Sequence, residues 1–341
     1  MTMARGETVN PEEQGTYHCW SRCVRRAFLC GVCRQTGRSF EHRKAWIEAR
    51  LEELSRIFAI AVLAYAIMDN HKHLMLRNNP ELAKSWDSEE VARRWLKLFP
   101  KRRDKSGAPA EPSEEELGAI TGNPEEVAKL RRRLMDISWF MRCLKEQVAR
   151  RANIEDEVTG CFWEGRFKCT RLDDLGATLS CMVYIDLNPV RAGKAKTPEE
   201  SEYTSAFTRI WENEVLVRNR EAKSREDDKE RSSELSKDAW LCPLEKIFGE
   251  GTLSAITLAD YLCLVDETGR AMAAGKRGKI SEDLCPILER LGVNAEHWLE
   301  TSRSFGRKFP RVAARVERMR EAAEAVGRKW FRGLSAARLC F

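Results

Sequence analysis

No run of residues in this chain approaches the ~18 consecutive apolar positions that a membrane-spanning helix needs. The first fifteen residues, MTMARGETVNPEEQG, hold no apolar segment of the kind that directs secretion. Membrane and secreted classes are excluded on these grounds, and a cytoplasmic protein is expected. Charge of one sign is barely in excess. Lys and Arg number 59 against 53 Asp and Glu, a net +6 over 341 residues, which permits a polyanionic partner without demanding one. Cysteine is sparse for the length: twelve residues, far below the ~8–10% of a disulfide scaffold. Most sit in apolar surroundings, as in the Leu-Cys-Leu around Cys263, and read as buried thiols in a reducing compartment. Cys30 and Cys33 form a single CxxC with no second pair behind it. Cys19 and Cys23 are the only nearby residues that could complete a zinc site, so a zinc-stabilised structural protein is the weakest of three readings. No internal repeat is present.

What the chain does contain is length for two domains and a high charge density, 33%. Residues 1–14 are polar and expected to be disordered. Residues 16–28 mix aromatic, β-prone and basic residues and read as a strand with an arginine-rich edge. Between Phe40 and Phe58 the positions Trp46, Ile47, Leu51, Leu54 and Ile57 recur at helical spacing. Apolar runs at 59–68 and 73–76, parted by Asp69-Asn70, signal a hairpin. A helix fits 88–98, a loop 100–124, a long basic helix about 124–152, and another helix 173–187, ending before Pro189. The order of elements predicts an α+β domain with an antiparallel sheet. Between Arg218 and Asp238, 14 of 21 residues are charged, which predicts a linker or solvated helix. Residues 239–341 read as mostly helical. The expected organisation is a domain at 15–215, a linker at 216–238 and a helical region at 239–341.

Two motifs carry chemistry. His71-Lys72-His73 opens the second hairpin strand, where residues two apart share a face. Both imidazoles therefore project together, half of a divalent-metal site, while Lys72 points away. Alone, such a pair also reads as ordinary polar residues on a solvated face. Tyr184-Ile-Asp-Leu-Asn188-Pro189-Val-Arg191-Ala-Gly193 closes the later helix, placing Tyr184 and Asn188 four apart on one face. Alone, that reads as a core tyrosine before a helix stop. Together they offer two imidazoles, an amide oxygen and a nucleophile, a set suited to phosphoryl transfer.

Tyr65-Ala-Ile-Met-Asp-Asn-His71-Lys-His73-Leu-Met-Leu, followed by the Tyr184 motif, resembles the single-tyrosine HUH transposases, in particular the REP-associated tyrosine transposases. Tyr17-His-Cys-Trp-Ser-Arg-Cys and Phe162-Trp-Glu-Gly-Arg-Phe-Lys168 extend the resemblance, which covers roughly residues 15–210. It implies a ferredoxin-like antiparallel sheet with helices. It further implies His71, His73 and Asn188 as ligands of Mg²⁺ or Mn²⁺, and Tyr184 as a nucleophile that forms a 5′-phosphotyrosine link to single-stranded, hairpin-bearing DNA. One departure stands out: the middle residue of the triplet is usually bulky and apolar, and here it is Lys72, a charge on a packing face unless its stem snorkels to water.

A phenol is mostly protonated at pH 7, so a base or the metal must assist it; Glu164 and Asp186 are candidates, and each also reads as a plain surface carboxylate. For DNA contact the candidates are Arg22, Arg25, Arg26, Trp163, Arg166 and Lys168. Trp20 and Phe167 are further stacking residues. Arg93, Arg94, Lys101, Arg102, Arg103 and the basic face of residues 129–151 are further phosphate contacts. The alternative function is a transposase-derived protein that grips DNA hairpins without cutting them, a reading Lys72 keeps open. Monomer and homodimer are both compatible with the sequence. The region 239–341 reads equally as a DNA-recognition accessory or a structural, dimerising lid.

Overall fold

The computed structural model describes residues 9–24, 27–33, 36–105, 109–172, 175–211, 240–248 and 256–271, with isolated positions beyond residue 315. The chain divides into two compact units. The first is Met1–Ile185 with Trp240–Cys242; the second is Asp186–Ala239 with Pro243–Phe341. The division falls near residue 185 rather than at the expected 215. The expected linker at 216–238 and most of 272–341 lie outside the described residues.

The first unit is built on four strands, β1 (Thr16–Arg22), β2 (Ile60–Ile67), β3 (His71–Asn78) and β4 (Lys168–Leu172). Their order in the sheet is β2-β3-β1-β4 and every neighbouring pair is antiparallel. With α1 (His42–Ile57) between β1 and β2, and the helices α2 (Pro80–Ser85), α3 (Ser88–Leu98), α4 (Glu114–Thr121), α5 (Pro124–Leu134) and α6 (Ile137–Glu155) between β3 and β4, this is the ferredoxin-like α+β arrangement expected from the sequence. The helix α7 (Leu175–Asp186) follows β4, and α8 (Asn188–Arg191) follows it.

Local chemistry accounts for these elements. α1 buries Ile47, Leu51, Leu54 and Ile57 at helical spacing, with Arg43 on the same stripe. Five successive helices, α2 to α6, begin at a side chain that accepts from the first-turn backbone: Asn79, Asp87, Ser113, Asn123 and Asp136. The last of these divides the expected 124–152 helix in two, because Asp136 accepts from Ser138 N at 2.6 Å and starts α6 afresh. The expected loop at 100–124 contains α4, announced by its Ser113/Glu116 capping box. Residues 9–14 are not frayed. Val9 is buried, and the Asn78 amide donates to Pro11 O and Glu13 O while accepting from Gly15 N.

One face of the sheet carries Tyr17, Cys19, Tyr65, Lys72, Leu74 and Leu76, and packs beneath the helices. Tyr65 Oη reaches Glu48 of α1. The edge strand β2 is apolar on both faces and buried. A bulge at Leu63 and the segment Trp240–Cys242 cover it, with Cys242 N donating to Val62 O at 2.9 Å.

Lys72 is the anomaly of this core. Its side chain does not snorkel: it is 0% exposed, its Nζ has no hydrogen-bond partner, and it lies 3.4 Å from the centroid of the Trp163 ring. Burial, reinforced by the Lys145 charge, pulls its pKa down to about 7, with Cys23 and Cys30 opposing the shift. Between that value and 10.5 the unfolded chain holds a proton on Lys72 that the folded chain lacks, so stability rises as pH rises through this window. Lys72→Met should therefore raise the melting temperature at pH 7, by an amount that shrinks toward pH 10. Melts of both proteins at pH 7, 8.5 and 10 check this. A variant less stable than the parent at pH 7, or a constant gap, would contradict the account of Lys72.

Candidate functional site

The opposite face of the sheet builds a cleft. Antiparallel register sets Arg22 beside His71, Trp20 beside His73 and His18 beside Met75. On the other side it sets Lys168 beside Trp20 and Thr170 beside His18. Period-two alternation thus brings His18, Trp20, Arg22, His71, His73 and Lys168 onto one surface. All but Lys168, joined by Ala177, Ser180, Cys181 and Tyr184 of α7, line a cleft of about 550 Å³. Two other clefts, about 520 Å³ between α1 and α3 and about 380 Å³ along α6, hold none of the histidines.

The turn that launches β3 is held from outside. Met68 N donates to His71 O at 2.8 Å and closes the Asp69-Asn70 hairpin. Neither turn residue has the left-handed backbone that a type I′ turn needs. Instead, Cys23 N donates to Asn70 O and Cys30 N to Asp69 O, both at 2.8 Å. Lys44 pairs with the Asp69 carboxylate at 2.8 Å. Gly31 packs so closely that a Cβ there would sit 2.5 Å from the Asp69 side chain. The CxxC segment therefore acts as a clamp on this turn. Of the four cysteines considered for zinc, Cys23 hydrogen-bonds Cys30, while Cys19 reaches Cys169 (Sγ–Sγ 3.8 Å). Among the described residues no group of three His, Cys, Asp or Glu could hold a metal.

Within the cleft the imidazoles of His71 and His73 stand 5.1 Å apart at 86°. His71 Nδ1 lies 2.7 Å from Asn70 Oδ1. That oxygen can only accept, so His71 carries its proton on Nδ1 and presents a lone pair on Nε2. Burial, then the neighbouring Arg22 charge, holds the His71 pKa at about 4, and burial lowers that of His18. Both imidazoles are neutral at pH 7, the form in which imidazole ligates a metal. Tyr184, 38% exposed, presents its ring edge-on to His73 at 5.6 Å and 90°, and to His18 at 6.1 Å. Burial pushes the neighbouring Cys181 thiol up to about 12, which keeps it protonated.

The structure distributes the expected residues unevenly. His71, His73, Tyr184 and Arg22 share the cleft, and Lys168 lies at its edge, Nζ 4.6 Å from the Trp20 ring, with Arg22 5.0 Å from it. Asn188 belongs to the second unit. It opens α8 and is half-buried. Arg25 and Arg26 lie outside the described residues. Trp163 is a core residue: it covers Lys72 and donates Nε1 to Lys145 O at 3.0 Å. Arg166 lines the cleft along α6. Glu164 is exposed and absent from the histidine cleft.

Asp186 is fully buried in the second unit. It accepts from Ser205 Oγ at 2.6 Å, Ala206 N at 2.9 Å and the Tyr261 hydroxyl, which commits both carboxylate oxygens to packing rather than to base catalysis. This unit also holds a helix over Leu258–Arg270. The basic residues of α3 and α5–α6 are also mostly engaged. Arg93 and Arg94 pair with Glu89 and Glu90, Arg133 and Arg142 stack on Trp139, and Arg151 stacks on Trp46. The residue that sequence reasoning missed is His18. Its signal was the alternation Thr16, His18, Trp20, Arg22 on β1, which places it on the histidine face.

No protein-family model and no curated protein matches the sequence. Among solved structures, a REP-associated tyrosine transposase bound to a REP hairpin aligns at 13% identity and a TM-score of 0.36. The alignment covers 62% of this chain and 86% of that one.

The lowered His71 value has a consequence for stability. Between about pH 6.5 and about 4 the unfolded chain protonates this ring and the folded chain does not, so the stability it contributes above 6.5 is lost as pH falls. In chelator-treated protein, His71→Asn should lose less stability than the parent between pH 7 and pH 4.5, read as urea midpoints. Equal losses would contradict the shift.

Proposed function

We propose that this chain cleaves and rejoins single-stranded DNA through Tyr184, assisted by a divalent metal at His71 and His73. The observation that carries the reading is the arrangement of Tyr184 against His73 at 5.6 Å in a cleft that also holds His71. The donor set fits such an ion. Two imidazoles on one rigid sheet face leave further positions for water and a phosphate oxygen. Imidazole favours Mn²⁺ over Mg²⁺. When bound, the metal would polarise the scissile phosphate as a Lewis acid.

The protein's own groups do the rest. Tyr184 Oη attacks phosphorus in line and loses its proton to solvent. A P–Oη bond forms while the P–O3′ bond breaks, and the leaving 3′ oxygen takes up a proton. The product is a 5′-phosphotyrosine link and a free 3′-OH. Attack by the 3′-OH of another strand reverses the step and joins new ends. Trp20, flanked by Arg22 and Lys168, offers an aromatic face beside two cations, the pairing used for unpaired bases and their phosphates. Hairpin-bearing single-stranded DNA is the proposed substrate, on the resemblance of the motifs. The aligned transposase, whose partner is a REP hairpin, is named for the same kind of DNA.

A second reading, hairpin binding without cleavage, is favoured by one feature. Buried Lys72 occupies the position between the two histidines. The two readings separate cleanly. With hairpin-bearing oligonucleotides and Mn²⁺, the parent protein should form a covalent adduct with the 5′ end of the 3′ fragment. Tyr184→Phe should reduce cleavage at least ~10³-fold while hairpin affinity stays within about twofold. Salt-sensitive hairpin binding without any adduct, unchanged by Tyr184→Phe or chelator, would establish the binding-only reading.

A further inference from the structure

We infer that His18 is a positioning residue that fixes the tautomer and orientation of His73 for metal ligation. The inference rests on the proposed metal reading and adds a residue to it. His18 Nε2 lies 2.9 Å from His73 Nδ1. The two rings are stacked, with centroids 5.1 Å apart and planes 19° from parallel. Register explains the contact. His18 faces Met75 and His73 faces Trp20, so the two histidines are diagonal neighbours on adjacent strands, within reach of aromatic side chains.

A hydrogen bond between two imidazole nitrogens needs one to donate and the other to accept. If His18 Nε2–H donated, His73 would carry its own proton on Nε2, and neither of its nitrogens could then offer a lone pair to a metal. Ligation by His73 therefore requires the opposite sense, with His73 Nδ1–H donating to His18 Nε2. His71 shows the same device, since its Nδ1–H donates to Asn70 Oδ1. Each member of the histidine pair is thus held at Nδ1 by a neighbour, so Nε2 is the nitrogen through which each would ligate. Metal-bound histidines are generally oriented by such an acceptor, and its loss typically weakens metal binding 10–100-fold. His18 sits on β1, whose main chain is paired on both sides, by β3 and by β4. The acceptor is therefore fixed by the sheet rather than by a loop.

The test uses Co²⁺ as a spectroscopic probe on the full chain, with His18→Ala, His18→Gln and His73→Ala. The parent should bind Co²⁺ with a d–d absorption band that His73→Ala abolishes. His18→Ala should bind 10–100-fold more weakly. His18→Gln, whose amide oxygen can accept from His73 Nδ1, should recover most of the loss. Nitrogen-15 NMR of the metal-free parent should show His73 protonated on Nδ1, a readout independent of metal and of activity. Parent-like Co²⁺ affinity in His18→Ala, or His73 protonated on Nε2, would overturn the role of His18 and leave the metal reading standing. Absence of Co²⁺ binding by the parent would overturn both. Should His18→Ala not fold, His18→Gln and the tautomer measurement decide the matter, and a His18→Gln no tighter than His73→Ala would count against the inference.

Discussion

Strand β3 must satisfy two incompatible environments at once, and the rest of the first unit follows from how it does so. It lies between β2 and β1, so its backbone is paired on both sides, and its side chains alternate between the core and the cleft. His71 and His73 reach the cleft only if Lys72 enters the core. A one-residue slip would reverse every assignment. Cys23, Cys30, Gly31 and Lys44 all converge on the Asp69-Asn70 turn that sets this register. The Trp163 ring beneath Lys72 offsets part of the cost, since a desolvated cation–π contact is worth about 2 kcal/mol. Burying an unpaired ammonium costs several. The histidine face is thus held in place at some expense to the core.

What could be read from the sequence was whatever carried a period. The β2–β3 hairpin, α1, α3 and α7 appear close to their expected bounds, whereas β1 ends at Arg22, six residues short of the expected 28. β4 escaped because KCTRL is an edge strand with largely exposed side chains, so no alternation marks it. α4 escaped because only Leu117 of its eight residues is buried. The split between α5 and α6 was hidden because the apolar pattern continues across it, and only the capping role of Asp136 interrupts the helix. His71, His73 and Tyr184 were legible as motifs. His18 was not, because its partner is 55 residues away and only the pairing of β1 with β3 brings them together.

The basic residues teach a different lesson. Clusters such as 93–94 and 131–133 looked like a phosphate groove in sequence. Helix geometry instead gives several of them a glutamate one turn away or an indole face nearby. Arg131, for example, donates to Trp86 O. Composition and spacing cannot tell a solvated cation from one already engaged by its own helix, because the engaging partner is often a tryptophan on another element.

At the cleft, by contrast, one cation does two things. Arg22 lies directly opposite His71 and helps to hold that imidazole neutral. It also stands over Trp20, as Lys168 does. On the proposed reading these roles are linked. A base that stacks on Trp20 in place of one of these cations would leave the displaced Arg22 or Lys168 tethered within a side chain's length of that base's own phosphate. The exchange trades one cation–π contact for a stacking contact plus a charge-assisted one, so it favours a ligand carrying a planar ring and an anion on the same short backbone. A free anion would gain the charge contact and leave the indole with its original cation. An isolated aromatic would displace the cation and give it nothing in return. On the proposed reading, nucleic acid with unpaired bases satisfies both halves of the exchange.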